Sequence, residues 1–245
     1  MTEVMVHNKG ARLVNREQLA VIPTPAGSPT HKPIPHLVLV DTIKDMLLAR
    51  GIHPTHESLA VNANGMQVFG VFDYGPTGGD LGMAMAFRAA NDKSLAVQIV
   101  AGARVFVCEN LALSGSAILL KRKHSRGLSL ASEVAAGLDR HAEAQYVFLE
   151  SIDRLKGEGL RDDEAKVTLF DLIWAGALGI SLLDTAAHNY FDAEKLGYPD
   201  CAPRTAWGLH NACTRAVKAL SPASQFSTTM RIGRHFGLGE ATHAE

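Results

Sequence analysis

The sequence predicts an α+β fold: an antiparallel β-meander preceded by a short helix and followed by a helical half. Three observations carry this expectation. Hydrophobic residues recur with a period of 3.6 from His36 to Arg50, with a period of 2 over about residues 58–120, and at helical spacing again beyond Arg126. Connections between the apolar runs of the middle block are short, which favours antiparallel neighbours over crossovers. Asn64-Gly65 separates two such runs, and this dipeptide accepts the positive φ of a tight hairpin turn.

The chain divides accordingly. Residues 1–35 read as an extended arm, because Pro23, Pro25, Pro29, Pro33 and Pro35 each fix a backbone angle and remove a donor. Residues 36–126 are the α+β sheet core. There Leu39, Ile43, Met46 and Leu47 share one face of a helix that Pro35 suits at its start and Gly51 at its end. Ser58–Asn62 and Met66–Tyr74 flank the hairpin turn. Leu81, Met83, Met85 and Phe87 then alternate with Gly82, Ala84, Ala86 and Arg88, as in a strand. Val97–Ala101, Arg104–Cys108 and Ala117–Lys121 read as further strands.

Residues 127–220 are the helical half, packed on the same domain. One helix runs from Ser129 or Ser132 to about Leu155, a second from about Asp163 to Tyr190, and a third from about Thr205 to Leu220. The middle of the second is apolar nearly all round, as in a buried helix. Residues 221–245 read as a loose basic tail with Arg231 and Arg234.

Composition narrows the class. Hydrophobic residues make up 47% and charged residues 20% of the 245, which suits a packed globule rather than a disordered chain. Cys108, Cys201 and Cys213 form no Cys-x-x-Cys pair and no even framework of bridges. Met1–Gly10 has no apolar leader, and Val167–Leu183 falls short of a bilayer span and carries Asp171. A cytoplasmic protein without a membrane partner is expected.

Motifs of catalysis are scarce. His53-Pro-Thr-His56-Glu57 is the densest ligand-type cluster, but its histidines are three apart with Pro54 between them, unlike a zinc helix. It reads as a polar connector, and no metal is expected. Asp184 and His188, four apart on a helix, form an acid–base pair or a salt link near a helix end. Gly75–Gly79 lacks the Lys-Ser/Thr of a phosphate loop, Gly237-Leu-Gly239 lacks the third glycine of a dinucleotide fingerprint, and Ser114-Gly115-Ser116 is not flanked as a nucleophile elbow. Cys108 reads as a small core residue at a strand end. No catalytic residue and no cofactor is assigned, and the reading leans away from an enzyme.

Charge is more informative. Residues 1–125 carry 12 Lys+Arg against 9 Asp+Glu, and residues 126–245 carry 12 against 16. Between Arg88 and Arg126 the cations Arg88, Lys93, Arg104, Lys121, Arg122, Lys123 and Arg126 face only Asp92 and Glu109. A local basic stripe holds a polyanion even on a neutral protein, since potentials act within about 8 Å at physiological salt. Arg88, Lys93, Arg104, Lys121, Arg122 and Lys123 are the expected nucleic-acid contacts. Phe69, Phe72, Tyr74, Phe87 and Phe106 are candidate stacking platforms for single-stranded bases. A solvated charged face over an aromatic core is the competing reading.

Several of these residues occur in segments with a family resemblance. Arg88-Ala-Ala-Asn91-Asp92-Lys93-Ser94, Gly102-Ala-Arg104-Val-Phe-Val-Cys-Glu-Asn110 and Lys123-His124-Ser125 resemble the phage/plasmid-like protein family, domain-of-unknown-function family 932. Thr205-Ala-Trp207-Gly208-Leu-His-Asn211-Ala212-Cys-Thr214 is similar to its C-terminal motif, with His210 at a usual aromatic position and Cys213 at a usual valine. The resemblance implies a protein of bacterial mobile elements and supplies no catalytic residues. The order helix, hairpin, meander and long helix also resembles the core of ring-forming single-strand annealing proteins, a fold-level analogy only. Nucleic acid, single-stranded DNA included, is therefore the expected partner, and a homo-oligomer the expected assembly. The alternatives are a metal- or acid/base-dependent enzyme, or a host-interaction or assembly protein of a mobile element.

Overall fold

The computed structural model describes residues 11–75, 81–105, 110–125 and 127–240. Its elements follow in the order β1 (Ala11–Leu13), α1 (Arg16–Ala20), α2 (His36–Leu48), β2 (Pro54–Asn62), β3 (Gln67–Tyr74), β4 (Leu81–Ala90), β5 (Val97–Val105) and β6 (Asn110–Arg122). Then come α3 (Leu130–Leu138), α4 (His141–Gly157), α5 (Asp162–Trp174), a 3-10 turn (Ile180–Leu182), α6 (Leu183–Phe191), α7 (Ala193–Leu196), α8 (Ala206–Val217) and α9 (Pro222–His235). The six strands form one antiparallel sheet in sequential order, so the fold is α+β with a meander, as expected.

Both faces of the sheet are covered. Met83, Ala84, Met85, Ala86 and Phe87 are successive residues of β4 and all are buried, although their side chains alternate between faces. On one face lie α2 and α3, tied to the sheet by Lys44 with Glu57 (3.9 Å) and by Glu133 with Arg122 (3.0 Å). On the other, α9 returns across the sheet and buries Phe226, Met230 and Ile232. Tyr190, Phe69, Phe72, Phe87, Phe148 and Phe226 are the largest fully buried side chains. The core thus joins the sheet and the helical half.

Several boundaries differ from the expected ones. The arm is not uniformly extended: β1 pairs with β2, and α1 follows with a capping box in which Asn15 and Gln18 satisfy each other's backbone N–H. The proline-rich stretch from residue 21 to 35 does run without helix or strand. The described part of the expected loose tail is ordered instead: α9 starts with Pro222 in its first turn and packs on β6. The first expected long helix is broken between α3 and α4. The second is broken at Gly176, whose φ of +65° ends α5 in a left-handed turn. What read as two strands at Val97–Ala101 and from Arg104 is one strand, irregular near Val100 where its register with β6 shifts.

Candidate functional site

The expected stripe of cations separates into distinct surroundings. Phe69, Arg88, Gln98 and Lys121 lie opposite one another across β3, β4, β5 and β6, and therefore share a face. Yet α9 covers that face at Arg88. The guanidinium lies 4.6 Å from the centre of the Phe226 ring, donates to Gln98 Oε1 at 3.1 Å and to the Ala223 carbonyl at 3.3 Å. Desolvation lowers its pKa. Arg88 therefore bonds inward, which corrects its expected role as a phosphate contact.

Lys121 is exposed on the edge strand. Arg122, its neighbour, points to the opposite face and pairs with Glu133. The side chain of Arg104, and all of Phe106, Cys108 and Arg126, lie outside the described residues. Phe69, Phe72, Tyr74 and Phe87 are at most 5% exposed, so these four belong to the core and are not platforms for bases.

Lys93 and Lys123 remain, and the fold brings them together. Lys93 lies in the β4–β5 turn and Lys123 just past the end of β6. Both line a cleft of about 510 Å³ with Thr30, His31, Ser94, Leu95, Ala96, His124 and Ser125. Three segments wall it: the arm, the β4–β5 turn and the chain after β6. The lining contains two ammonium groups, two imidazoles and three hydroxyls, and no carboxylate.

Local bonds explain why the cleft is formed. Asp92 accepts from the Ser94 backbone N–H at 3.0 Å and from the Ser94 hydroxyl, which also accepts from Gln67 Nε2 at 2.9 Å. Between them Lys93 adopts φ +69°, the one non-glycine residue with positive φ among those described. That left-handed backbone is unfavourable for a lysine and is held by its surroundings. Asn91 bonds to the backbone of Ile34 and receives a hydrogen bond from His31 Nε2 (3.1 Å) on its carbonyl. The Lys32 N–H donates to the His124 carbonyl at 3.0 Å. The arm is thereby fixed against both other walls.

His124 is the unusual member. It is only 4% exposed, stands 5.6 Å from His31 ring to ring, and neither of its ring nitrogens has a hydrogen-bond partner. Burial, with smaller contributions from His31 and His36, pulls its pKa down to about 4. It is therefore neutral at pH 7 and carries one N–H for which no described residue supplies an acceptor.

A second cleft of about 780 Å³ lies where the loop after α2, with His53, meets the ends of β2 and β3, the end of α3 and the start of α4. In it the Tyr74 hydroxyl meets His141 Nε2, and burial raises the pKa of the tyrosine and lowers that of the histidine. Its cation, Arg50, is already used: it bonds Asp139 at 2.5 Å and the carbonyls of Met46 and Ala135. The two clefts differ in this respect, since Lys93 and Lys123 form no ion pair with any described residue.

Other expected chemistry is dispersed. Glu57 pairs with Arg16 and Lys44 rather than with His53 or His56, which are exposed. Among the described residues no group of three or more His, Cys, Asp or Glu is placed to hold a metal. Asp184 and His188 meet at 3.4 Å on the exposed side of α6, outside either cleft. No described helix is long and apolar enough to cross a membrane.

His31, Ser94 and His124 were not among the expected contacts. Ser94, His124 and Ser125 do lie within the segments that carry the family resemblance, which was the available signal. Comparison with family models, with curated proteins and with solved structures found no match for this chain.

Proposed function

We propose that this chain is a nucleic-acid-binding protein of a phage or plasmid-type mobile element, and that it grips single strands by their phosphates. One observation carries the reading: Lys93 and Lys123, which pair with no carboxylate among the described residues, line one cleft with three hydroxyls. A strained backbone at Lys93 and an unpartnered imidazole at His124 support it further. The mobile-element part rests on the resemblance of the Asn91–Ser94 and Lys123–Ser125 segments. These segments lie apart in sequence and form two walls of the same cleft.

The binding is directed to phosphate rather than base. Four of the aromatics that would stack bases are core residues, and exposed Lys121 extends the positive surface beyond the cleft. Affinity should therefore fall steeply with salt, by about 0.7 in log–log slope for each phosphate contact on a single strand. Fluorescence anisotropy with a labelled single-stranded oligonucleotide at two salt concentrations tests this. Replacing Lys93 and Lys123 together should flatten the slope by roughly 1.4. No binding at low salt would overturn the proposal.

A further inference from the structure

We infer that the Lys93–Lys123 cleft takes a phosphate monoester, the group that ends a nucleic-acid strand, in preference to an internal phosphodiester. This rests on the nucleic-acid reading above and narrows it. The cleft is walled by three segments at once: the arm through Thr30 and His31, the β4–β5 turn, and residues 123–125. The Lys32–His124 backbone bond and the Asn91 bonds to Ile34 hold these walls together. A compact group surrounded by donors on several sides, as a terminal phosphate is, suits such a cleft better than one threaded into a continuous strand.

The donor set also favours a monoester. A phosphate monoester presents three terminal oxygens and a charge of about −1.5 to −2 at pH 7. A diester presents two free oxygens and a single charge. The lining supplies the Lys93 and Lys123 ammonium groups, with the hydroxyls of Thr30 and Ser125 exposed beside them. Asp92, adjacent to Lys93, accepts both Ser94 donors. Its negative charge is the carboxylate nearest in sequence to either lysine and offsets part of their field. The lining stays positive, and a positive lining attracts the more highly charged monoester more strongly than a diester.

His124 points the same way. Its ring is buried at the wall of the cleft and has no partner at either nitrogen among the described residues. A buried donor left without an acceptor is costly, and such groups in native structures commonly mark a ligand, ion or water position. A terminal phosphate oxygen in the cleft would satisfy it, once the ring turns toward the lumen. His31 is fixed for this arrangement, since its Nε2 is bound to the Asn91 carbonyl.

The test compares one oligonucleotide carrying a 5′-phosphate with the same strand ending in a 5′-hydroxyl, using the full chain. The phosphorylated strand should bind roughly tenfold more tightly, the worth of one charge-assisted hydrogen bond. Lys93→Gly and Lys123→Ala should each erase that preference. Lys93→Gly relieves the left-handed backbone, so its thermal midpoint should not fall and misfolding is separated from lost binding. A nucleoside 5′-monophosphate should displace the phosphorylated strand and the same nucleoside without its phosphate should not; equal competition by the two would overturn the inference. Equal affinity for the two strands would overturn this inference and leave backbone binding intact. A preference that survives both substitutions would also overturn it. Failure of either strand to bind at low salt would remove the nucleic-acid reading itself.

Discussion

The side-chain amide of Asn91 is paired with the backbone of Ile34 as one strand is paired with another. Its Oδ1 accepts the Ile34 N–H at 2.9 Å and its Nδ2 donates to the Ile34 carbonyl, also at 2.9 Å. Both groups are buried, and residues 21–35 have no sheet partner of their own. One side chain therefore substitutes for a ladder that proline-rich backbone cannot form. Asn91→Ala should cost about 1–3 kcal/mol, since two buried backbone groups lose their partner. It should also weaken phosphate binding, because His31 and Thr30 form a wall of the cleft. Urea unfolding gives the first quantity and an anisotropy titration the second. Unchanged affinity in the folded variant would show that the arm does not shape the cleft.

Gly208 shows why the Trp-Gly pair of α8 stands as it does. A Cβ placed on it would lie 2.1 Å from the Pro203 carbonyl oxygen, a backbone atom that cannot swing aside. The Thr205 hydroxyl accepts the Gly208 N–H at 3.1 Å, which holds the first turn of α8 against that carbonyl. In most helices Gly→Ala gains about 1 kcal/mol. Here the overlap should outweigh it, giving a net loss of about 1–3 kcal/mol. A higher urea midpoint for Gly208→Ala would contradict the close approach.

Stability should fall as the solution is acidified below pH 6.5. His124 and His210 are buried and neutral, with pKa values drawn down to about 4 by desolvation. Above pH 6.5 both are uncharged whether folded or unfolded, and pH has no leverage through them. Between pH 6.5 and 4 the unfolded chain binds the protons and the folded chain does not, so the native state loses up to about 1.4 kcal/mol per unit for each histidine. His36, His141 and His235 shift in the same direction, while exposed His188 is raised by its hydrogen bond to the Asp184 carbonyl. His210 offers a clean test, because it serves as an aromatic. It stacks on Trp207 at 4.9 Å and meets Phe236 edge-on at 5.5 Å, and neither ring nitrogen has a partner of normal geometry. His210→Phe should retain the packing and flatten the pH dependence of the urea midpoint. An identical loss in both proteins between pH 6.5 and 4.5 would rule out a buried neutral ring.

The meander was legible because strand alternation is a local property. Leu81–Arg88 shows it in eight residues, and Asn64-Gly65 marks the hairpin by its own φ preference. Arg88 was misread for the opposite reason: nothing near it announces that α9, about 135 residues later, returns to cover it. Helix α9 itself was concealed by its charges, although Phe226 and Met230, four residues apart, mark its buried side. The Asn15–Gln18 capping box was readable, but the prolines that follow dominated the reading of the arm. Of the site, both lysines were visible from charge alone. Its histidines were not, since a cleft built from three distant segments has no signature in sequence spacing.

The two tryptophans provide an optical test of the helical half. Trp207 is 6% exposed under His210 in α8, whereas Trp174, at the end of α5, is 84% exposed and stacked on Phe170 at 6.3 Å. Val167, Phe170 and Trp174 recur at helical spacing and are all exposed, so this is the outer side of α5, while Ala165, Leu169 and Leu172 face the core. Trp174→Phe should therefore change stability by less than about 0.5 kcal/mol, as exposed substitutions do. It should leave a blue-shifted emission resistant to acrylamide, from Trp207 alone. Trp207→Phe should instead leave red-shifted, readily quenched emission and lower the urea midpoint. If both single-tryptophan variants were equally protected, the outer side of α5 would be covered in solution, which sedimentation velocity of the same samples would show as a larger species.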